Sequence, residues 1–152
     1  MRHLTTLAHI LIAGVVALFA AMQFAPSSWW YEYKSIVPLK PVFVAGEKLQ
    51  LVSTIIVHQP RTPITFHDQL RCITNMGDRV VHSVDFPTAL KSSAGDWKRV
   101  PWAWGVIPAE TPKEVPCYIR SVQTIKTIFG IERVTVYTSE TFTVSDFDYT
   151  KQ

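Results

Sequence analysis

The sequence predicts an all-β protein: a seven-stranded β-sandwich preceded by one N-terminal transmembrane helix. Three observations lead to this prediction. A long apolar run opens the chain, short segments rich in Val, Ile, Thr, Phe and Tyr recur from residue 35 onward, and Gly or Pro separates those segments. No amphipathic helical pattern follows the opening run, so strands are expected to make up the folded part.

The composition limits the size and the class of the protein. The chain has 152 residues, and the part after the opening run, about 125 residues, suffices for one domain with a hydrophobic core. Hydrophobic residues make up 47% and charged residues 18%, so this part should fold. The formal net charge is +3 and no basic cluster is longer than Lys98-Arg99, which disfavours nucleic-acid binding.

The opening run is long enough to cross a bilayer. Leu7 to Phe24 contains 18 residues without a formal charge, a helical length of about 27 Å against a hydrocarbon layer of about 30 Å. A cleavable signal would end in small residues of A-x-A type, and the one acceptable match, Ala25-Pro26-Ser27, lies beyond the apolar run. A retained anchor is therefore predicted, and a cleaved signal peptide is the alternative.

Aromatic residues follow the run where lipid headgroups would lie, and they mark a predicted contact with the bilayer. They are Trp29, Trp30, Tyr31 and Tyr33. The predicted organisation is a cytoplasmic tail over 1–6, a transmembrane signal-anchor over 7–25, an interfacial linker over 26–34, a β-sandwich over 35–144 and a flexible C-terminal tail over 145–152.

The orientation of the anchor is not decided by charge alone, because Arg2 precedes the helix and Lys34 and Lys40 follow it. A three-residue tail with Arg2 and the α-amine is typical of a segment left in the cytoplasm. The main domain is therefore expected on the periplasmic or extracellular side.

Seven runs in the folded part are predicted as strands, each bounded by turn residues. They are Ile36 to Val44, Lys48 to His58, Thr65 to Thr74, Arg79 to Phe86, Arg99 to Val106, Cys117 to Ile128 and Glu132 to Val144.

The two cysteines, Cys72 and Cys117, fall in separate predicted strands. Strand alternation points both thiols into the core, so a disulfide between the two sheets is predicted. Two unpaired buried thiols in a cytoplasmic domain are the alternative, and an oxidising compartment favours the bridge.

Seven strands, two inward cysteines and tryptophans between them resemble an immunoglobulin-like sandwich over residues 35 to 144. A short leader followed by such a domain, with the stretch VFVAGEKLQLV, is similar to small envelope proteins of bacteriophages and bacteria. This resemblance implies an architecture and a setting, and it implies no catalytic residue.

The known catalytic patterns are missing from the sequence: it has no Walker A motif, no G-x-S-x-G, no H-E-x-x-H and no C-x-x-C. His67 and Asp68 are adjacent, and adjacent strand residues point to opposite faces, so this pair is not expected to act together. His58, His67 and His82, with Met76, could supply a copper or zinc site, but no metal-ligand spacing recurs and scattered surface histidines are the favoured explanation. Neither a cofactor nor a metal is predicted.

Tryptophan provides the strongest indication of a binding surface. Trp102 and Trp104 are two residues apart and are expected on one face of a strand, with Trp97 close by. They either pack in the core or form an exposed pair for a partner, and Pro101 would mark an edge strand.

These observations predict a non-enzymatic, membrane-anchored domain that binds another envelope component, either a protein or a glycan. The alternatives are a structural subunit of a membrane or virion complex and a periplasmic metal-carrier domain.

Overall fold

The computed structural model describes residues 2–29, 31–58, 63–89, 95–126 and 132–146. These described residues form one apolar helix, a short 3-10 turn and nine strands. In order they are α1 (Arg2–Phe24), the turn Ser27–Trp29, β1 (Tyr31–Pro38), β2 (Val42–Val44), β3 (Lys48–Val57), β4 (Pro63–Thr74), β5 (Gly77–Ala89), β6 (Gly95–Val106), β7 (Pro116–Lys126), β8 (Glu132–Thr138) and β9 (Phe142–Ser145).

Helix α1 begins at Arg2, so most of the tail predicted over 1–6 is helical. The window Thr5–Met22 has a mean hydropathy of 2.1, and none of it is buried against the rest of the described chain. Its length and composition suit a membrane span, which is a property that a signal sequence at the same place would share.

The strands form two sheets. The smaller sheet has the order β1-β3-β6, and the larger has the order β2-β9-β7-β4-β5 with β8 also paired to β7. Neighbouring strands are antiparallel except β2 and β9, which run parallel. The prediction of a β-rich domain behind one apolar helix is confirmed, and the strand count of seven is wrong.

The two extra strands arise because two of the predicted runs are broken. The first breaks between Pro38 and Val42, where Pro38 and Pro41 lack the N–H groups that a continuous ladder needs. In the last run, Ser139 occupies the break: its N–H donates to the Ile119 carbonyl, and its Oγ accepts from the Ile119 N–H. Strand β8 therefore stays beside β7, while β9 continues into the pairing with β2.

The inner faces of the two sheets share one hydrophobic core. The smaller sheet contributes Leu49, Leu51 and Trp104, and the larger contributes Leu70 and Ile119, all of them buried. Burial of these side chains is the main source of the stability of the domain.

The bridge Cys72–Cys117 is present and lies within this core. The predicted pairing is confirmed, but the predicted location between the two sheets is wrong. Cys72 and Cys117 are direct partners on the neighbouring strands β4 and β7, with their Cα atoms 4.0 Å apart. Two residues with the same inward phase can belong to adjacent strands of one sheet as well as to facing sheets.

A second, smaller apolar cluster closes the end of the domain next to α1. Ala25, directly after the helix, is only 3% exposed and packs with Ile64 of β4 and Ile125 of β7. Tyr33 and Phe66 pack against this cluster. We call this end of the domain the anchor end.

Candidate functional site

His67 and Asp68 point to opposite sides of β4, as strand alternation predicted. His67 is half-buried on the outer face of the larger sheet, whereas Asp68 is 2% exposed on the inner face. The carboxylate partner of His67 is Asp85 on β5, whose Oδ1 lies 2.6 Å from His67 Nδ1. His67 therefore pairs with the carboxylate of Asp85 on the neighbouring strand and not with the adjacent Asp68.

The imidazole of His67 is bonded at both of its nitrogens. Nδ1–H donates to Asp85, and Nε2 lies 3.2 Å from Nε2 of Gln69, which donates to it. Because the amide nitrogen of Gln69 can only donate, these two hydrogen bonds correspond to the tautomer that carries its proton on Nδ1. The Nε2 lone pair, which a general base would use, is already engaged by Gln69.

The hydrogen-bond chain continues from Gln69 to the far end of the face. Gln69 Oε1 accepts from Arg71 Nη1 at 3.1 Å, and Arg71 Nε and Nη2 donate to Asp78 at 3.0 and 2.9 Å. Tyr118 Oη donates to the same carboxylate at 2.8 Å. The Arg71 and Tyr118 hydrogen bonds hold the pKa of Asp78 below its usual value. These hydrogen bonds restrict the orientation of each of these polar side chains.

Apolar side chains lie beside this chain. On β8, Val134 and Val136 are 63% and 45% exposed. They pair with Thr124 and Val122 of β7, so they share the outer face with them. Ile73, Val80 and Met76 are also exposed, at the β4–β5 hairpin. We use the name outer face for the solvent side of β5, β4, β7 and β8, and its side chains include His67, Gln69, Arg71, Ile73, Met76, Asp78, Val80, Asp85, Tyr118, Arg120, Val122, Val134 and Val136.

The inner face carries polar side chains inside the core. Asp68 pairs across the sheet with Ser121, and the hydroxyl of Ser121 bonds to its carboxylate. Gln123, two residues further along β7, is fully buried. Asp68 Oδ1 and both amide atoms of Gln123 have no hydrogen-bond partner in the described part of the chain. Burial, the dominant cause, raises the pKa of Asp68 to about 6, and the Ser121 bond and His67 oppose this shift.

Trp104 does not form part of an exposed pair. It is 2% exposed, and its ring packs edge-on against His82 at a centroid distance of 5.7 Å. The register between β3 and β6 shifts at this point: Gly105 lies opposite Leu49, Ala103 lies opposite Gln50, and Trp104 has no partner. Ala103 is exposed and Trp104 is buried, as alternation along a strand requires, and Trp104 belongs to the core. The side chains of Trp97 and Trp102 lie outside the described part, so their binding role stays a prediction.

The aromatic residues after α1 separate into two groups. Trp29 is exposed in the 3-10 turn, where an interfacial role stays a prediction. Tyr33 instead lies in β1 and packs against the rings of Tyr137 and Phe66, at 5.1 and 6.3 Å. The linker predicted over 26–34 is thus too long, because β1 begins at Tyr31. Trp30, the side chain of Tyr31 and the tail from 147 onward lie outside the described residues.

The histidines do not converge on one site. His67 bonds to Asp85, His82 packs on Trp104, and His58 is exposed at the end of β3. Among the residues that the structure describes, no three His, Cys, Asp or Glu side chains are close enough together to hold a metal ion. The geometry therefore offers no support for the metal-carrier alternative.

The hydrogen-bond chain from His67 to Asp78 is not among the features predicted from the sequence, although its signal is present there. His67, Gln69 and Arg71 are spaced two apart, which places three polar side chains on one strand face. Their carboxylate partners, Asp78 and Asp85, follow a hairpin turn whose register the sequence does not specify.

No protein-family model and no curated protein matches this chain. The solved structures that resemble it at a distance include a sporulation control protein and a DNA glycosylase. The sporulation control protein Spo0M from Bacillus subtilis has 14% sequence identity and a TM-score of 0.40, over 76% of this chain and 49% of Spo0M. The Pseudomonas fluorescens alkylpurine DNA glycosylase AlkC, bound to DNA containing an abasic site analogue, has 11% identity and a TM-score of 0.35, over 72% of this chain and 30% of AlkC. The similarity thus spans about half of the first protein and less than a third of the second, and neither carries an argument about the function of this chain.

Proposed function

We propose that this chain is a non-enzymatic, membrane-anchored domain outside the cytoplasm that binds another envelope component through its outer face. The immunoglobulin-like resemblance and an origin among phage or bacterial envelope proteins belong to this proposal and rest on the sequence alone. The observation that carries the proposal is the burial of Ala25 between Ile64 and Ile125.

This burial favours a retained anchor over a cleaved signal. The acceptable cleavage sequence is Ala25-Pro26-Ser27, and cleavage there would remove Ala25 from the apolar cluster. Ile64 and Ile125 would then lose a packing neighbour and gain contact with water. A signal peptide is expected to leave its mature domain complete, and this segment instead completes the domain.

The disulfide supports a location of the domain outside the cytoplasm. Cys72 and Cys117 are joined and fully buried, and such bridges persist in oxidising compartments such as the periplasm or the cell exterior. We therefore place the domain on that side of the membrane.

The outer face is better suited to binding than to catalysis. Its histidine has no open nitrogen, because Asp85 and Gln69 occupy both. Its valines are exposed on a sheet face that no described element covers, and exposed apolar groups beside fixed polar groups are typical of protein interfaces.

Permanent assembly is a second candidate, and one observation favours it. Among the described strands β8 pairs with β7 alone, so its other edge has backbone groups available for an added strand. A structural subunit of a larger complex could use this edge.

We expect the mature protein to keep α1. The intact mass of protein extracted from membranes should equal that of a chain that still contains residues 1 to 25, because Ala25 is part of the folded domain. A mature N-terminus at Ser28, or anywhere after Ala20, would contradict the retained anchor and make this a secreted domain.

A photo-crosslinking residue at Val134 or Val136 should capture an envelope component in intact cells that naturally produce this protein. Val106 is a matched control, because it is an exposed valine near the end of β6 in the other sheet. Mass spectrometry of the product distinguishes a different protein, a glycan and a second copy of this chain. Equal capture at Val106, or no capture at either valine of β8, would contradict the outer face as the binding surface.

A further inference from the structure

Arg120 is a cation near the middle of the outer face that has no hydrogen-bonded partner among the described residues. It lies on β7 between Gln69 of β4 and Thr138 of β8 and is half-buried. Its charge reaches Asp78 and adds to the lowering of the pKa of that carboxyl. Within the described part of the chain, however, its guanidinium makes no hydrogen bond or ion pair, whereas Arg71 holds Asp78 through Nε and Nη2.

The guanidinium therefore retains its hydrogen-bonding capacity for another molecule. It presents five N–H donors in a planar fork that matches a carboxylate. Asp78 does not accept a hydrogen bond from Arg120, and its oxygens already accept from Arg71 and Tyr118. The charge of Arg120 thus complements an external anion.

Apolar groups lie next to this cation on the same face. Val122 is two residues from Arg120 along β7, and Val136 lies directly opposite Val122 on β8. Val134 follows on the same side and is the most exposed of the three. A ligand that covers both features must carry an anionic group and apolar groups about 7 to 13 Å from it, the spacing of Val136 and Val134 from Arg120 along the strands.

We propose that the outer face recognises a protein segment that places a carboxylate on Arg120 and apolar side chains on Val134 and Val136. This inference rests on the proposed binding function of the same face and specifies its partner. The carboxylate comes from Asp, from Glu or from a chain terminus, and the apolar contacts supply most of the buried area.

Two other anionic partners fit this face less well. An anionic glycan would satisfy Arg120 but would leave Val134 and Val136 against polar hydroxyls. Lipid headgroups of the anchoring membrane would lie at the anchor end. Val134 is near that end, since it pairs with Thr124 beside Ile125, but Arg120 is five residues along β7 from Ile125, about 17 Å away. A protein segment satisfies the cation and the valines together.

The test uses the full-length protein in nanodiscs as the target for a library of displayed random 16-residue peptides. The selected peptides should be enriched in Asp and Glu next to apolar residues. Arg120→Gln should weaken their binding by about 10- to 100-fold, because it removes a charge-assisted hydrogen-bonded pair. Arg120→Lys should restore part of the affinity, since the charge remains and the planar fork is lost.

Lys126→Gln is the matched control, because it removes the same charge from the anchor end of the same strand; it should leave the affinity unchanged. Peptides without an excess of acidic residues, or equal binding to Arg120→Gln, overturn this inference, and so does a failure to select any peptide. If crosslinking at Val136 still captures a partner in those cases, the proposed function stands and only the carboxylate recognition is wrong.

Discussion

Replacing Asp68 by Asn should stabilise the domain at pH 7.5 by about 1 to 3 kcal/mol. The carboxyl is 2% exposed, one of its oxygens has no described partner, and burial raises its pKa from 3.8 to about 6. A shift of that size corresponds to roughly 3 kcal/mol of penalty for ionised Asp68 in the folded state. Asn removes the charge and keeps the shape, at some cost for its buried amide protons.

The sign of the pH dependence follows from the direction of this shift. Between pH 4 and 6 the folded state holds the Asp68 proton more tightly than the unfolded state does. The contribution of Asp68 therefore favours folding below about pH 4, is lost as the pH rises, and is fully lost above about pH 6. The stability difference between Asp68→Asn and the wild type should be near zero at pH 4 and largest above pH 6.

Chemical denaturation of the full-length protein in nanodiscs, followed by tryptophan fluorescence at several pH values, measures this difference. Asp85→Asn is the matched control: it makes the same substitution on the same sheet, at a side chain that is 81% exposed, and should change the free energy of unfolding by less than about 0.5 kcal/mol. An Asp68→Asn protein that is less stable than the wild type at every pH would show that ionised Asp68 is not a penalty.

Removing the disulfide should cost the domain about 4 kcal/mol. Cys72 and Cys117 are separated by 45 positions, and the chain-entropy model gives about 4 kcal/mol for a loop of that length, within the measured range of about 2 to 5. Both cysteines are fully buried, so loss of the bridge also disturbs packing next to Trp104 in the same core. The double variant Cys72→Ala/Cys117→Ala tests this without a reactive thiol.

The denaturation midpoint of the double variant should fall, while its circular dichroism in the absence of denaturant should keep the β signal. The ladder between β4 and β7 spans nine residue pairs, and the bridge is only the last of them. Wild-type protein under reducing conditions is the control that leaves the side chains in place. A loss below about 1 kcal/mol in both samples would mean that the unfolded state is already restricted by other means.

Much of the architecture could be predicted because it depends on patterns that strands display locally. Alternating side chains located β3, β4 and β7 and gave the inward direction of Cys72 and Cys117. Strand neighbours could not be predicted, because alternation specifies which face a residue occupies and not which strand lies beside it. For that reason the disulfide was predicted to join two sheets, whereas the two strands that it joins are neighbours in one sheet.

The side chains of the candidate site are brought together by the register between neighbouring strands. Because the sequence does not specify this register, most of their contacts could not be predicted. Asp85 meets His67 only because the turn before Gly77 and the bulge near Val81 bring them level. The burial of Trp104 was left open, because alternation does not say whether the face shared by Trp102 and Trp104 points to the core or to solvent. Asp68, however, could have been found: it shares the inward phase of Phe66, Leu70 and Cys72, and a carboxyl in that phase indicates a buried charge.

The burial of Ala25 has a consequence for how this molecule would search for a partner. A domain on a long flexible linker samples a wide volume, whereas a domain joined to its anchor by a buried residue keeps a set height above the bilayer. Along β7, Val122 and Tyr118 lie about 10 and 24 Å from Ile125. With the anchor in the membrane, diffusion would carry this surface through a thin layer parallel to the bilayer. A partner confined to the same layer would meet it at a high effective concentration, and a partner anchored at another height would not meet it at all.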